Sequence, residues 1–136
     1  MRVVLDTNVV VSAVMTAHGP CARIIDLLAD GVFELFADDR ILAEYDSVLH
    51  RPQLRIVAED AAVLLELIRS IADPVAAVPL PVQLPDPDDA PFLEVAAASE
   101  SLLVTGNARH YPRSSRTGVS VLTPGEFLER IRRSRQ

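Results

Sequence analysis

Asp6, Glu44, either Asp86 or Asp89, and Asn107 are the residues whose types and placement can do chemistry together. Asp6 directly follows the β-branched run Val3-Val4-Leu5, and Asn107 comes just after Leu102-Leu103-Val104-Thr105 and Gly106. Each therefore stands at the carboxyl end of a buried apolar run, where ligands bind in an open parallel sheet. Asp86 and Asp89 bracket the start of an apolar helix, and Glu44 lies at the edge of another helix's apolar stripe. Carboxylates gathered in one place repel and hold their protons more tightly unless a cation neutralises them. An oxygen-only donor set suits Mg2+ or Mn2+ rather than zinc. Such an ion activates water and stabilises a phosphodiester under attack, so nucleic-acid hydrolysis is the chemistry this set supports. Taken singly, each residue has a plainer role: an Asp at a helix start caps it and favours its dipole, and a Glu at a stripe edge reaches for water.

The elements that must position these groups follow from periodicity. After Asn8, Val9 to Met15 reads as a short helix that ends before His18-Gly19-Pro20. Pro20 to Asp30 carries apolar residues at helical spacing, with Gly31 as the C-terminal stop. Val32 to Ala37 reads as a strand, closed by Asp38-Asp39, which can cap the next helix. That helix, Arg40 to His50, places Ile41, Leu42, Tyr45, Val48 and Leu49 in one stripe with Glu44 at its border, and Pro52 ends it. A helix over 61–72, with Ala62, Leu65, Ile68 and Ala72 in register, is structural. The proline-rich passage from Asp73 to Asp89 reads as a short edge strand and an extended crossing. Phe92, Val95, Ala96 and Ser99 then share a helix face that Asp89 extends backwards. A strand over 102–105, a polar loop holding Arg109, His110, Arg113 and Arg116, and a strand over 119–122 follow. Thr123-Pro124-Gly125-Glu126 is a capping box opening an arginine-rich terminal helix over 123–136. Alternating strands and helices indicate an α/β fold with a mainly parallel sheet.

A length of 136 residues and an apolar fraction of 49% fit a single domain, 1–136, with one core. No membrane span or leader is visible, so the expected location is cytoplasmic. The lone Cys21 offers neither a disulfide nor a thiolate cluster. Net charge is −6, but residues 1–108 hold 17 acids and six arginines, whereas 109–136 hold seven arginines and two glutamates. This predicts an acidic centre beside a basic flank that tracks a nucleic-acid backbone. Arginine supplies every fixed positive side chain; there is no lysine.

Taken in order, LDTNVVVSA at 5–13, the helix bearing Glu44, Asp86-Pro87-Asp88-Asp89, and VTGN at 104–107 followed by Arg109-His110-Tyr111-Pro112 resemble the motifs of PIN domains. Four motifs in sequence over about residues 2–112 make the resemblance specific, and it is closest to small prokaryotic VapC-like proteins. It implies a three-layer α/β/α domain and a Mg2+- or Mn2+-dependent ribonuclease, the toxin of a toxin–antitoxin pair. By position, Asp6, Glu44 and Asp89 would be the catalytic metal-binding acids. Asp86 would assist, and Asn107 stands where the family often has Asp. Asn8 and Thr105 would orient ligands by hydrogen bonds. Arg109, His110 and Arg113 would meet RNA, and a homodimer and an antitoxin partner are implied.

Two other readings compete. A receiver or dehalogenase-type phosphotransferase would also place an Asp after the first strand, but these use a lysine or a second nearby acid, and this chain has Asn8 there and no lysine. A PIN-like scaffold that binds RNA or protein without cutting would be consistent with Asn107 marking a weakened metal site.

Overall fold

In the computed structural model, which describes residues 1–135, the chain is built on β1 (Arg2–Leu5), an interior strand. Val3, Val4 and Leu5 are wholly buried, as expected for a parallel strand covered on both faces. Its neighbours are β2 (Glu34–Leu35) on one side and β3 (Leu102–Val104) on the other, with β4 (Val121–Leu122) beyond β3. All pairings are parallel, and the register sets Leu5 against Val104 and Val104 against Leu122. Asp6, Thr105 and Thr123 therefore leave the sheet at one edge. The order β2-β1-β3-β4 sends the chain outward to opposite sides from β1 and β3, which opens a crevice between their carboxyl ends.

Among the described residues six α-helices flank the sheet: α1 (Thr7–Met15), α2 (Pro20–Ala29), α3 (Asp39–Leu49), α4 (Ala58–Ile71), α5 (Ala90–Ser99) and α6 (Pro124–Ser134). The three-layer α/β fold expected from the sequence is the one observed. Local chemistry sets the helix ends. Asp6 caps α1 by accepting from the Thr7 amide, Asp38 caps α3 by accepting from Ile41, and Thr123 with Glu126 closes the capping box of α6. Gly31 ends α2 at φ 75°, a conformation that favours glycine.

Three expectations are corrected. The strand expected over 32–37 is only two residues long, because the Gly31 and Val32 amides still satisfy the last carbonyls of α2, Leu28 and Leu27. The passage after α4 forms no edge strand beyond a single bridge of Phe36 to Asp73, since its prolines remove ladder donors. On α4 the buried stripe is Ala61, Leu64, Leu65 and Ile68, and Ala62 is exposed. An i, i+3, i+4, i+7 set covers the core better than the sparser one read from the sequence.

The basic flank is also placed differently from the expectation. Helix α6 starts at the site edge, level with Leu122, and Phe127 packs edge-on against Phe33, the residue just before β2, at 5.2 Å. It thus runs toward the amino edge and carries Arg130, Arg132, Arg133 and Arg135 away from the carboxylates; Gln136, at the end of the expected helix, lies outside the described residues. Among the described residues no helix is long and apolar enough to cross a membrane.

Candidate active site

Asp6 lies at the floor of the crevice, 3% exposed. Its Oδ1 accepts the Thr7 amide at 2.8 Å; its Oδ2 accepts the Thr105 hydroxyl at 2.8 Å, the Tyr111 hydroxyl at 3.0 Å and, more distantly, the Asn8 amide at 3.4 Å. The residue is a helix cap and a site carboxylate at once, which is why the plainer reading and the chemical one could not be separated in sequence. Asn8 ties the two strand ends together, because its Oδ1 accepts the Gly106 amide at 2.7 Å. A Cβ on Gly106 would stand 3.1 Å from that oxygen, so glycine permits the approach.

Helix α3 brings Glu44 to the same place. The next residue, Tyr45, is fully buried and donates its hydroxyl to the Leu5 carbonyl, which fastens α3 to the end of β1. The Thr7 hydroxyl donates to Glu44 Oε2. From the other side, Asp86 begins a tight turn over Pro87–Asp89 by accepting the Asp88 amide, and that turn delivers Asp89 to the start of α5.

Asp6, Glu44, Asp86, Asp88 and Asp89 line one open hollow of about 590 Å³ together with Asn8, Arg51 and His110. Burial raises the Glu44 carboxyl above its usual range and the charges of Asp6 and Asp88 push it the same way, against the Thr7 bond and Arg51. Burial, then Asp6 and Asp86, push Asp89 up to about 6, opposed by His110. His110 Nδ1 is 3.1 Å from the buried Asp89 Oδ2, an ion-pair distance, and among the described residues no other group donates to that oxygen. A buried carboxylate oxygen met by a single imidazole, among mutually repelling acids, keeps lone-pair capacity that a divalent cation satisfies. The carboxylates share a basin and are not drawn to a point: among the described residues no three His, Cys, Asp or Glu side chains are gathered closely enough to hold an ion as they stand.

Of the residues singled out in the sequence, Asp6, Glu44, Asp86, Asp89, Asn8 and His110 meet at the hollow, and Thr105 supports Asp6 from beneath. Asn107 does not line it. Its backbone amide donates to Thr105 and its side-chain nitrogen lies 2.9 Å from His110 Nε2. Arg109 and Arg113 are exposed on neighbouring turns outside the hollow. Sequence reading missed Thr7, Tyr45, Arg51, Asp88 and Tyr111. For Thr7 the signal was present, as a hydroxyl next to the strand-end acid.

The PIN domain family model matches residues 2–109 of this chain. An uncharacterized protein of Methanocaldococcus jannaschii is 26% identical over 141 residues, covering 95% of this chain and 90% of its own. Among solved structures, VapBC2 from Rickettsia felis, bound to a DNA fragment from its promoter, superposes with a TM-score of 0.60 and 18% identity over 90% of this chain and 98% of that one. FitAcB from Neisseria gonorrhoeae gives 0.57 and 16% over the same shares. At these identities the two solved structures establish a shared fold.

Proposed function

This chain belongs to the PIN domain family, and from that premise we propose that it is a divalent-cation-dependent endoribonuclease acting as the toxin of a toxin–antitoxin pair. The observation that carries the proposal is the hollow at the carboxyl edge, with five carboxylates around it and burial and neighbouring acids pushing Glu44 and Asp89 upward.

In this reading Asp6, Glu44 and Asp89 hold Mg2+ or Mn2+, with Asp86 and Asp88 adding negative charge at the rim. The ion, when bound, relieves the repulsion among the acids and polarises water and phosphodiester for in-line displacement. The chain's own residues do the positioning. Thr7 aims Glu44, Thr105 and Asn8 fix Asp6, and Tyr45 holds α3 against β1 so that the separation of Glu44 from Asp6 is set by packing. Arg51, lining the hollow, is the cation best placed to receive a phosphate, with Arg109 and Arg113 beyond it. The partners follow from the same reading: RNA in the hollow, an antitoxin covering it, and a second copy against the apolar surface of α1, α2 and α4, where Val63 is 63% exposed.

Incubating the protein with a mixed pool of structured RNAs, with and without Mn2+, tests the proposal. Cleavage should need the metal and disappear in Asp6→Asn. A second reading, a scaffold that binds RNA without cutting, is favoured by the turning of Asn107 toward His110, which leaves the hollow without that oxygen ligand. Metal-independent RNA binding with no cleavage in the same assay would select it.

A further inference from the structure

A carboxylate oxygen offers two in-plane lone-pair positions, about four per group. On Asp6 those of Oδ2 are taken. Thr105 and Tyr111 donate to it at 2.8 and 3.0 Å from buried positions, and the Asn8 amide adds a longer contact at 3.4 Å. Among the described residues Oδ1 accepts only the Thr7 amide, at 2.8 Å. The acid at the floor of the hollow thus has one oxygen with capacity to spare. Thr105 directly follows β3, the strand that pairs with β1, but Tyr111 arrives from the loop beyond it, fully buried. Its carbonyl accepts Arg116 Nε at 2.8 Å, which secures the loop from the other side.

Divalent cations differ in how they use such an acid. Mg2+ demands near-octahedral geometry at about 2.0–2.1 Å and takes single oxygens, whereas Ca2+ takes roughly 6–8 oxygens at 2.3–2.6 Å and commonly engages both oxygens of one carboxylate. We propose that Tyr111 is a positioning residue that sets the metal preference of this site: its hydroxyl closes the second oxygen of Asp6, confining Asp6 to one-oxygen ligation and favouring small octahedral ions over calcium. This rests on the divalent-cation reading of the hollow given above.

Calorimetric titration of the whole chain with Mn2+ and with Ca2+, each alone and without RNA, tests it in wild type and Tyr111→Phe. Wild type should bind Mn2+ more tightly than Ca2+. Removing the hydroxyl should weaken Mn2+ by about tenfold, the usual effect of losing a group that orients a ligand, while Ca2+ binding stays level or improves. The Mn2+ to Ca2+ preference therefore falls about tenfold. A purely structural role would weaken both ions equally, and an unchanged ratio overturns the inference while leaving the cation reading intact. A wild type that binds neither ion overturns the cation reading and this inference with it. Infrared difference spectra of the wild type with and without Mn2+, with Asp6→Asn to assign the Asp6 bands, give a test that does not depend on the folding of the Phe variant. A wide separation of the two carboxylate stretches, the mark of one-oxygen binding, is expected; a narrow one overturns the proposal.

Discussion

Asp89, with its carboxyl pushed up to about 6 by burial and by Asp6 and Asp86, links the stability of the metal-free protein to pH. Because the folded-state value lies above the unfolded one, the native state loses nothing below about pH 4, loses stability as pH rises toward 6, and bears the full penalty above it. Asp89→Asn should therefore be more stable than wild type at pH 8 in a chelating buffer, by on the order of 1–2 kcal/mol after discounting for solvent screening. The difference should vanish near pH 4, and denaturant unfolding at the two pH values measures it. Saturating Mn2+ should reverse the order at pH 8, since only wild type keeps the full set of acids. Asn107 leads to a contrasting expectation. With its amide facing His110, Asn107→Asp should change the Mn2+ affinity by on the order of threefold at most, short of the tenfold or more that follows from altering a ligand or its orienting partner. A titration showing tenfold tighter binding would put that side chain on the metal. The acids themselves were legible because strand ends and helix starts leave a sequence signal. Tyr45 and Tyr111 were not, because an aromatic in an apolar stripe or a loop reads the same whether or not its hydroxyl finds a partner. Arg51 was hidden for a similar reason, being one arginine among thirteen.

At the scale of elements, the helix that carries Glu44 and the helix that follows directly on Asp89 are joined by an ion pair about one turn from each acid. Arg40 Nη1 on α3 donates to Glu94 Oε1 on α5 at 2.7 Å, and Glu94 Oε2 accepts the Leu80 amide of the proline-rich passage at 3.3 Å. The Glu94 side chain is 10% exposed, so Arg40→Ala leaves a nearly buried carboxylate without its cation and should destabilise the fold by about 1–3 kcal/mol. Thermal melting checks this, and a loss within error would mean that Leu80 alone suffices for Glu94. Helix α6 offers a smaller and cleaner change. Thr123→Ala removes one half of the capping box and should cost about 1 kcal/mol without touching the hollow. The helices and their caps were readable to within a few residues because periodicity and capping chemistry are local. All four strands were readable too, but the limits of β2 and β4 and the missing edge strand were not. Where a strand stops depends on which amides the preceding helix still occupies and on a partner far along the chain.

Over the whole molecule, charge was the feature that sequence misplaced. The arginines of residues 109–136 divide between turns near the site and the far end of α6, because the register sets the start of that helix at the site edge and its packing on Phe33 carries the rest away. If the hollow takes RNA, replacing Arg51, Arg109 and Arg113 by Ala should flatten the salt dependence of binding, by up to about 0.7 in slope for each phosphate that is no longer neutralised. The same change at Arg132, Arg133 and Arg135 should leave the slope as it is, and filter binding across a salt series would show either result. The connectivity of the sheet also has a consequence in time. Asp6 finds its hydroxyl partners 99 and 105 positions later, at Thr105 and Tyr111. At a synthesis rate of about 5–20 residues per second, roughly 5–20 s separate the first carboxylate from the groups that seat it. While the ribosome is still reading the message, the emerging polypeptide has acids but no seated Asp6, and a product cut short before residue 105 never acquires one.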